Sequence, residues 1–259
     1  MANRQFGVYR LHNFVSAISH HYLPQVYLRR FTLRENKKLL WEFNKSDGTV
    51  IESTPKKSGC EDYYHAFKKQ DGTLDTESIE SDLGQIETKI DVVYKAIRMR
   101  RPLTEAEWRA FHVFAGSMSV RVSAFIGNFH EFASKVFDHS FEIIKTTPEF
   151  VKRSHELGVP SERLPNVKAA ADRDFSLLMC LQAMETPIQL FSKMNWQFAQ
   201  TSAPAHFITG DNPVFHCNPD RNPSSIFPPG LADKDIEITF PLSRTTCAVG
   251  AWRPCASRE

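Results

Sequence analysis

The 259-residue chain lacks the short motifs that identify most enzymes. It has no Gly-rich phosphate loop, no dinucleotide fingerprint, no Gly-x-Ser-x-Gly elbow and no His-Glu-x-x-His pair. NTPase, Rossmann dehydrogenase and α/β-hydrolase readings therefore have little to stand on. No run of about 18 apolar residues occurs, so no transmembrane helix and no membrane partner are expected. The opening Met-Ala-Asn-Arg-Gln-Phe shows no basic leader followed by an apolar core, so no signal peptide is expected. Cysteine is scarce, with five residues at 60, 180, 217, 247 and 255 and no Cys-x-x-Cys spacing. An odd count without such spacing speaks against a disulfide framework or a structural zinc site, and for reduced thiols in a cytoplasmic protein. Charge of one sign is also missing. The net +2 neither demands nor excludes an acidic partner such as nucleic acid.

What is abundant is phenylalanine, at 20 residues, which points to an aromatic-rich core. The chain reads as an N-terminal arm over 1–19 followed by one domain over 20–259. Pro24 suits the first turn of a helix running to about Phe31, which places His20 and His21 just before its N-terminus and turns Arg29 and Arg30 away from the Tyr27, Leu28 and Phe31 face. Lys38–Asn44 and Thr49–Glu52 flank Asp47-Gly48 and predict a β-hairpin. Residues 55–72 read as loop, with the acidic-aromatic Glu61-Asp-Tyr-Tyr inside it.

Ile79, Leu83, Ile86, Ile90, Val93 and Ile97 step by four and three, so Asp75–Arg98 is expected to be helical, with Glu80 and Glu87 on one face beside the stripe. Three arginines at 98, 100 and 101 suit the end of that helix. Thr104-Glu-Ala-Glu107 is a capping-box pattern opening a long helical region, one helix or two, with Gly116 and Gly127 as candidate breaks or close-contact points. A short helix is expected over 148–157, and another from 167 to about 194 kinked near Pro187. Strands are expected around 196–199, 205–209, 214–217, 236–240 and 246–250, with a proline-rich loop over 219–229. The order β, α, β gives an α+β class: a central helical bundle, an N-terminal hairpin and C-terminal antiparallel strands.

Three pieces of this sequence occur together: His20/His21-Tyr-Leu-Pro-Gln-Val-Tyr-Leu-Arg-Arg-Phe, the hairpin followed by Glu61-Asp-Tyr-Tyr, and Phe207-Ile-Thr-Gly-Asp-Asn-Pro-Val with the later Phe240-Pro-Leu-Ser. On these motifs the chain resembles the prokaryotic family known as domain of unknown function 4238, over roughly residues 20–250. The resemblance implies a bacterial, soluble protein and brings no activity with it. One departure stands out: the family pattern usually has Ser before Asp-Asn-Pro, where this chain has Gly210.

The candidate site is assembled from residue chemistry. His20 and His21 are candidate catalytic residues, since a histidine beside a helix N-terminus can act as a general base or bind a metal. The plainer alternative packs them against Tyr22. Asp211, at the end of an expected strand, is a candidate catalytic residue and metal ligand, and the alternative is turn chemistry. Glu80 and Glu87 are candidate ligands for Mg²⁺ or another divalent metal, or else a solvated flank. Arg29, Arg30 and Arg121 are candidate phosphate contacts, and Arg121, set among phenylalanines, needs an anionic partner if buried. Together they suggest a metal-dependent phosphodiester hydrolase acting on nucleic acid. The competing expectation is a non-enzymatic binding or regulatory module with the same residues in a buried network.

Overall fold

The computed structural model describes residues 19–32, 38–159, 163, 167–218 and 230–253. Residues 1–18 of the expected 1–19 arm and the 219–229 loop lie outside these residues.

The chain begins with β1 (Ser19–His21) and a single helical turn, α1 (Gln25–Leu28), which follows Pro24 directly. The expected hairpin forms from β2 (Leu40–Phe43) and β3 (Val50–Ser53), with Phe43 opposite Val50. The stretch expected to be loop contains β4 (Cys60–Asp62) and β5 (Phe67–Lys68), the latter paired with β6 (Leu74–Asp75). β1 and β4 pair antiparallel with His20 opposite Glu61. A three-residue strand carries too few side chains for a period-two pattern to show, which is why β4 is not visible in the sequence.

α2 (Ser78–Arg98) follows the predicted stripe, and buries Leu83, Ile90, Val93, Tyr94 and Ile97. Its first turn is fixed by Asp75, whose carboxylate accepts from the Glu77 and Ser78 amides at 3.0 and 2.9 Å and from the Ser78 hydroxyl at 2.6 Å. α3 (Glu105–Val120) opens with the predicted capping box between Thr104 and Glu107. The long helical region divides at neither glycine. α3 ends at Arg121, Val122 takes an extended conformation, and α4 (Ser123–Ile144) leaves at a bend of 54°. Gly116 is instead a close-contact point: a Cβ there would stand 2.4 Å from Ile188 Cγ1. No single described helix is long and apolar enough to cross a membrane.

α5 (Pro148–Glu156), α6 (Arg173–Gln182) and α7 (Glu185–Phe191) follow. The helix expected over 167–194 is two helices, which separate before Pro187 rather than kinking at it. The last strands, β7 (Asn195–Gln200), β8 (Phe215–Cys217), β9 (Glu237–Ser243) and β10 (Thr246–Ala251), form one antiparallel sheet in the order β7-β10-β9-β8. The strand expected at 205–209 does not form. β7 is an edge strand with one free side, but the segment makes no ladder with it; its Phe207 N–H donates instead to the Arg244 carbonyl at the β9–β10 turn.

The aromatic core joins α3 to this sheet. β9 alternates, burying Ile238, Phe240 and Leu242, and Phe114 and Tyr27 pack on Phe240 with ring centroids 6.1 and 5.6 Å away. Phe111 packs on Trp196 and Phe198. The architecture is α+β, with α3 against the C-terminal sheet and small two-stranded pairs near the N-terminus.

Candidate acid–base and metal centre

The period of β1 separates the two adjacent histidines: His20 is buried and His21 is half-buried. Past β4 the chain turns at Tyr63, whose φ of 57° is left-handed, and this reverses Tyr64 and His65 into the interior. Arg173 on α6 clamps the turn from outside, donating to the Ala66 carbonyl at 3.0 Å and to the Tyr64 carbonyl. The His65 amide then donates to His20 Nδ1 at 2.9 Å, and the two rings stack at 5.9 Å. On the other side of His65 stands Glu80, one turn into α2, whose Oε1 contacts His65 Nδ1.

These contacts fix proton positions. A backbone N–H can only donate, so His20 Nδ1 is a lone pair and the neutral ring carries its proton on Nε2. His65 Nδ1 faces a carboxylate, so its proton sits there and Nε2 holds the lone pair. Both Nε2 atoms are buried and have no hydrogen-bond partner among the described residues. Burial pulls the His65 pKa below that of an ordinary histidine, with the Glu80 contact pulling the other way. Burial also pushes the Glu80 carboxyl up, yet the bond from His65 and the positive charge of Arg121 help leave it below its ordinary value. The result is an uncharged His65 at neutral pH, oriented by a carboxylate, with an unprotonated Nε2.

Arg121 closes the centre from the α3–α4 break. Its side chain is 1% exposed, Nε donates to the Tyr22 carbonyl at 3.0 Å, and Nη2 donates to the His21 carbonyl at 2.7 Å and to Glu87 at 2.9 Å. Its Nη1 has no partner among the described residues. Its charge acts on both His65 and Glu80. Solvent reaches the centre beside Glu80, whose side chain is 33% exposed. A cleft of about 310 Å³ is lined by the residues flanking His65, Tyr64 and Ala66, together with Glu61, Tyr63 and Arg173.

His20, Glu80 and Arg121 are thus brought to one place. Glu87 joins as the partner of Arg121. The His21 ring leaves the centre and its Nε2 lies 3.2 Å from the Lys56 carbonyl. Arg29 is exposed and donates to Gln25. Arg30 pairs with Asp91 at 2.6 Å. Eleven residues of helix separate Asp91 from Glu80, about 16 Å at 1.5 Å per residue. Asp211 is exposed and lies outside the donor group. Its carboxylate acts on Tyr22, whose hydroxyl is pushed up to about 12, by burial first and by Asp211 second. The motif around it is held by Thr209, whose hydroxyl meets Tyr27 Oη at 2.7 Å.

His65 is the site residue that sequence reasoning misses. It sits one position past Glu61-Asp-Tyr-Tyr, and the available signal was a histidine closing an aromatic pair in a glycine- and lysine-flanked loop.

His20, His65 and Glu80 each offer one donor atom, all within 4.8 Å of one another. Two nitrogens and a carboxylate suit Zn²⁺ or another transition metal better than Mg²⁺, which takes oxygen donors. His65 can offer Nε2 to an ion while its Nδ1–H keeps Glu80, whereas His20 frees its Nδ1 lone pair only on releasing the His65 amide. The same side chains therefore form either an acid–base pair or an ion-binding set.

No curated protein and no solved structure matches the chain. A family model described as a protein of unknown function (DUF4238) matches residues 19–258, nearly the whole length, and the chain belongs to that family.

Proposed function

We propose that this protein is a hydrolase of phosphodiester bonds in which His65 is the general base. The observation that supports this is the Glu80–His65 contact with His65 Nε2 left free, because a carboxylate at Nδ1 sets the tautomer and orientation a base needs. His20 Nε2–H would donate to an oxygen gaining negative charge. Arg121 adds a fixed cation with both N–H groups of Nη1 to spare, the kind of group that stabilises charge developing on a phosphoryl group. Nucleic acid is the substrate class we infer.

A second reading is favoured by the 4.8 Å donor group: the same three residues hold a divalent transition metal, which would activate the water in place of His65.

The test is turnover of bis(p-nitrophenyl) phosphate and of a quenched fluorescent oligonucleotide. His65→Asn and Glu80→Gln are compared with the parent protein, before and after dialysis against a chelator. General-base loss is expected to lower the rate by about 10²–10⁴-fold. Activity that survives dialysis supports the base. Activity that is lost and then restored by Zn²⁺ or Mn²⁺ supports the metal. No turnover of either substrate under any of these conditions, or an unaffected His65→Asn variant, defeats the hydrolase reading.

A further inference from the structure

The far end of α2 carries a second, unrelated concentration of polar chemistry. A cleft of about 800 Å³ lies there, within the range of small-molecule sites. Four arginines line it: Arg98 and Arg100 from the end of α2, Arg30 from just after α1, and Arg244 from the β9–β10 turn. Among the described residues no aspartate or glutamate does. Arg30 is neutralised by Asp91, but Arg98, Arg100 and Arg244 have no carboxylate partner among the described residues.

Two features point to a ligand. Tyr94 lines the cleft, is only 7% exposed, and its hydroxyl has no hydrogen-bond partner among the described residues. A buried hydroxyl without a partner costs free energy unless something supplies the bond. The Arg30 guanidinium lies 4.3 Å over the same ring, which fixes both groups against the wall. Arg100 occupies a left-handed position, φ 53°, just beyond the helix end, where glycine is the usual residue. Helix-end arginines do complement the dipole. That explains neither Arg30 nor Arg244, which reach the same cleft from different elements.

Three guanidiniums without a carboxylate partner, gathered at one cleft, suit a multiply charged anion. Ile97 and Leu242 add apolar wall, and Thr201, Ser202, Ser243 and Thr245 add hydroxyls suited to phosphate oxygens. We infer that this cleft binds a small molecule of nucleotide size carrying two or more phosphate groups. Eighteen residues of helix separate Arg98 from Glu80, about 27 Å, so the cleft is not part of the His20–His65–Glu80 centre.

The experiment is calorimetric titration of the full chain, at 50 and 200 mM salt, with inorganic pyrophosphate, ADP and a 12-nucleotide single-stranded DNA. ADP and pyrophosphate are expected to bind, with ADP the tighter because of the apolar wall. Arg100→Gln and Arg244→Gln should each weaken ADP at least tenfold, and Tyr94→Phe severalfold. The substituted arginines are exposed or half-buried, and a circular dichroism melt equal to that of the parent protein verifies the fold. His65→Asn should bind ADP like the parent, which separates this test from that of the hydrolase. Absence of binding at 50 mM salt, ADP affinity unchanged in both arginine variants, or DNA binding more tightly than ADP would each overturn the inference.

Discussion

The two ends of α2 treat cationic side chains in opposite ways. At the Glu80–Glu87 end, Arg121 is fully buried and spends its N–H groups on Glu87 and on the carbonyls of His21 and Tyr22. It ties three segments together: β1, the α2 face and the α3–α4 break. At the other end, the side chains of Arg98, Arg100 and Arg244 have no carboxylate partner among the described residues, yet three elements deliver them to one cleft with Arg30. A buried ion pair is hard to remove because its partner is left uncompensated, whereas exposed cations contribute little to stability. The first cluster therefore has a structural reason to exist whatever its chemistry, and the second has none. The stretch His20–Phe31 supplies both, His20 to one end and Arg30 to the other, with buried Tyr27 between them.

The contrast makes graded predictions. Arg121→Met should be the most damaging change, costing about 3–5 kcal/mol by urea denaturation, because Glu87 and two carbonyls lose their partner. A cost below about 1 kcal/mol would mean that Arg121 does not hold β1 to the helices. Tyr27→Phe comes next, at about 1–2 kcal/mol, since its hydroxyl meets Thr209 at 2.7 Å and donates to the Pro241 carbonyl at 2.8 Å. The same variant should speed proteolysis within 205–213, which a purely local loss would not do.

Acid should act on the buried side of the molecule. Burial holds His65 below its ordinary value and His112 down to about 4. For both, the unfolded chain takes up a proton first as pH falls below about 6.5. Their contribution to stability is complete above that pH and is lost on the way down to the folded value, near 4 for His112. Urea midpoints measured from pH 7 to pH 4 should fall, and His112→Phe, in its nest of Trp108, Phe111 and Trp196, should flatten part of the slope. Smallest of all, Arg244→Gln should leave stability within about 0.5 kcal/mol of the parent. A loss comparable to that of Arg121→Met would erase the contrast between the two ends.

Much of the scaffold is legible in the sequence. The Ile79–Ile97 stripe gives α2, Thr104 and Glu107 give the start of α3, Asp47-Gly48 gives the first hairpin, and the alternation of Ile238, Phe240 and Leu242 gives β9. Each rests on local periodicity or turn chemistry. The expected strand at 205–209 shows where that logic stops: alternation says nothing about where the chain runs, and this segment is tied to the β9–β10 turn rather than to the free edge of β7. The break between α3 and α4 at Arg121 was equally hidden, since nothing in the composition of 116–127 favours that residue over either glycine.

The candidate site divides in the same way. By itself the sequence nominated polar residues near the N-terminus, His65 not among them, placed Glu80 and Glu87 on one helix face, and required an anion for a buried Arg121. Only the tertiary structure decided that His20 contacts His65 rather than His21, that Glu80 pairs with the histidine while Glu87 pairs with the arginine, and that Arg30 lines another cleft. The physical reason is that strand and helix periods fix which side chains share a face, whereas a buried polar group is satisfied by whatever the fold brings to it across tens of residues of chain.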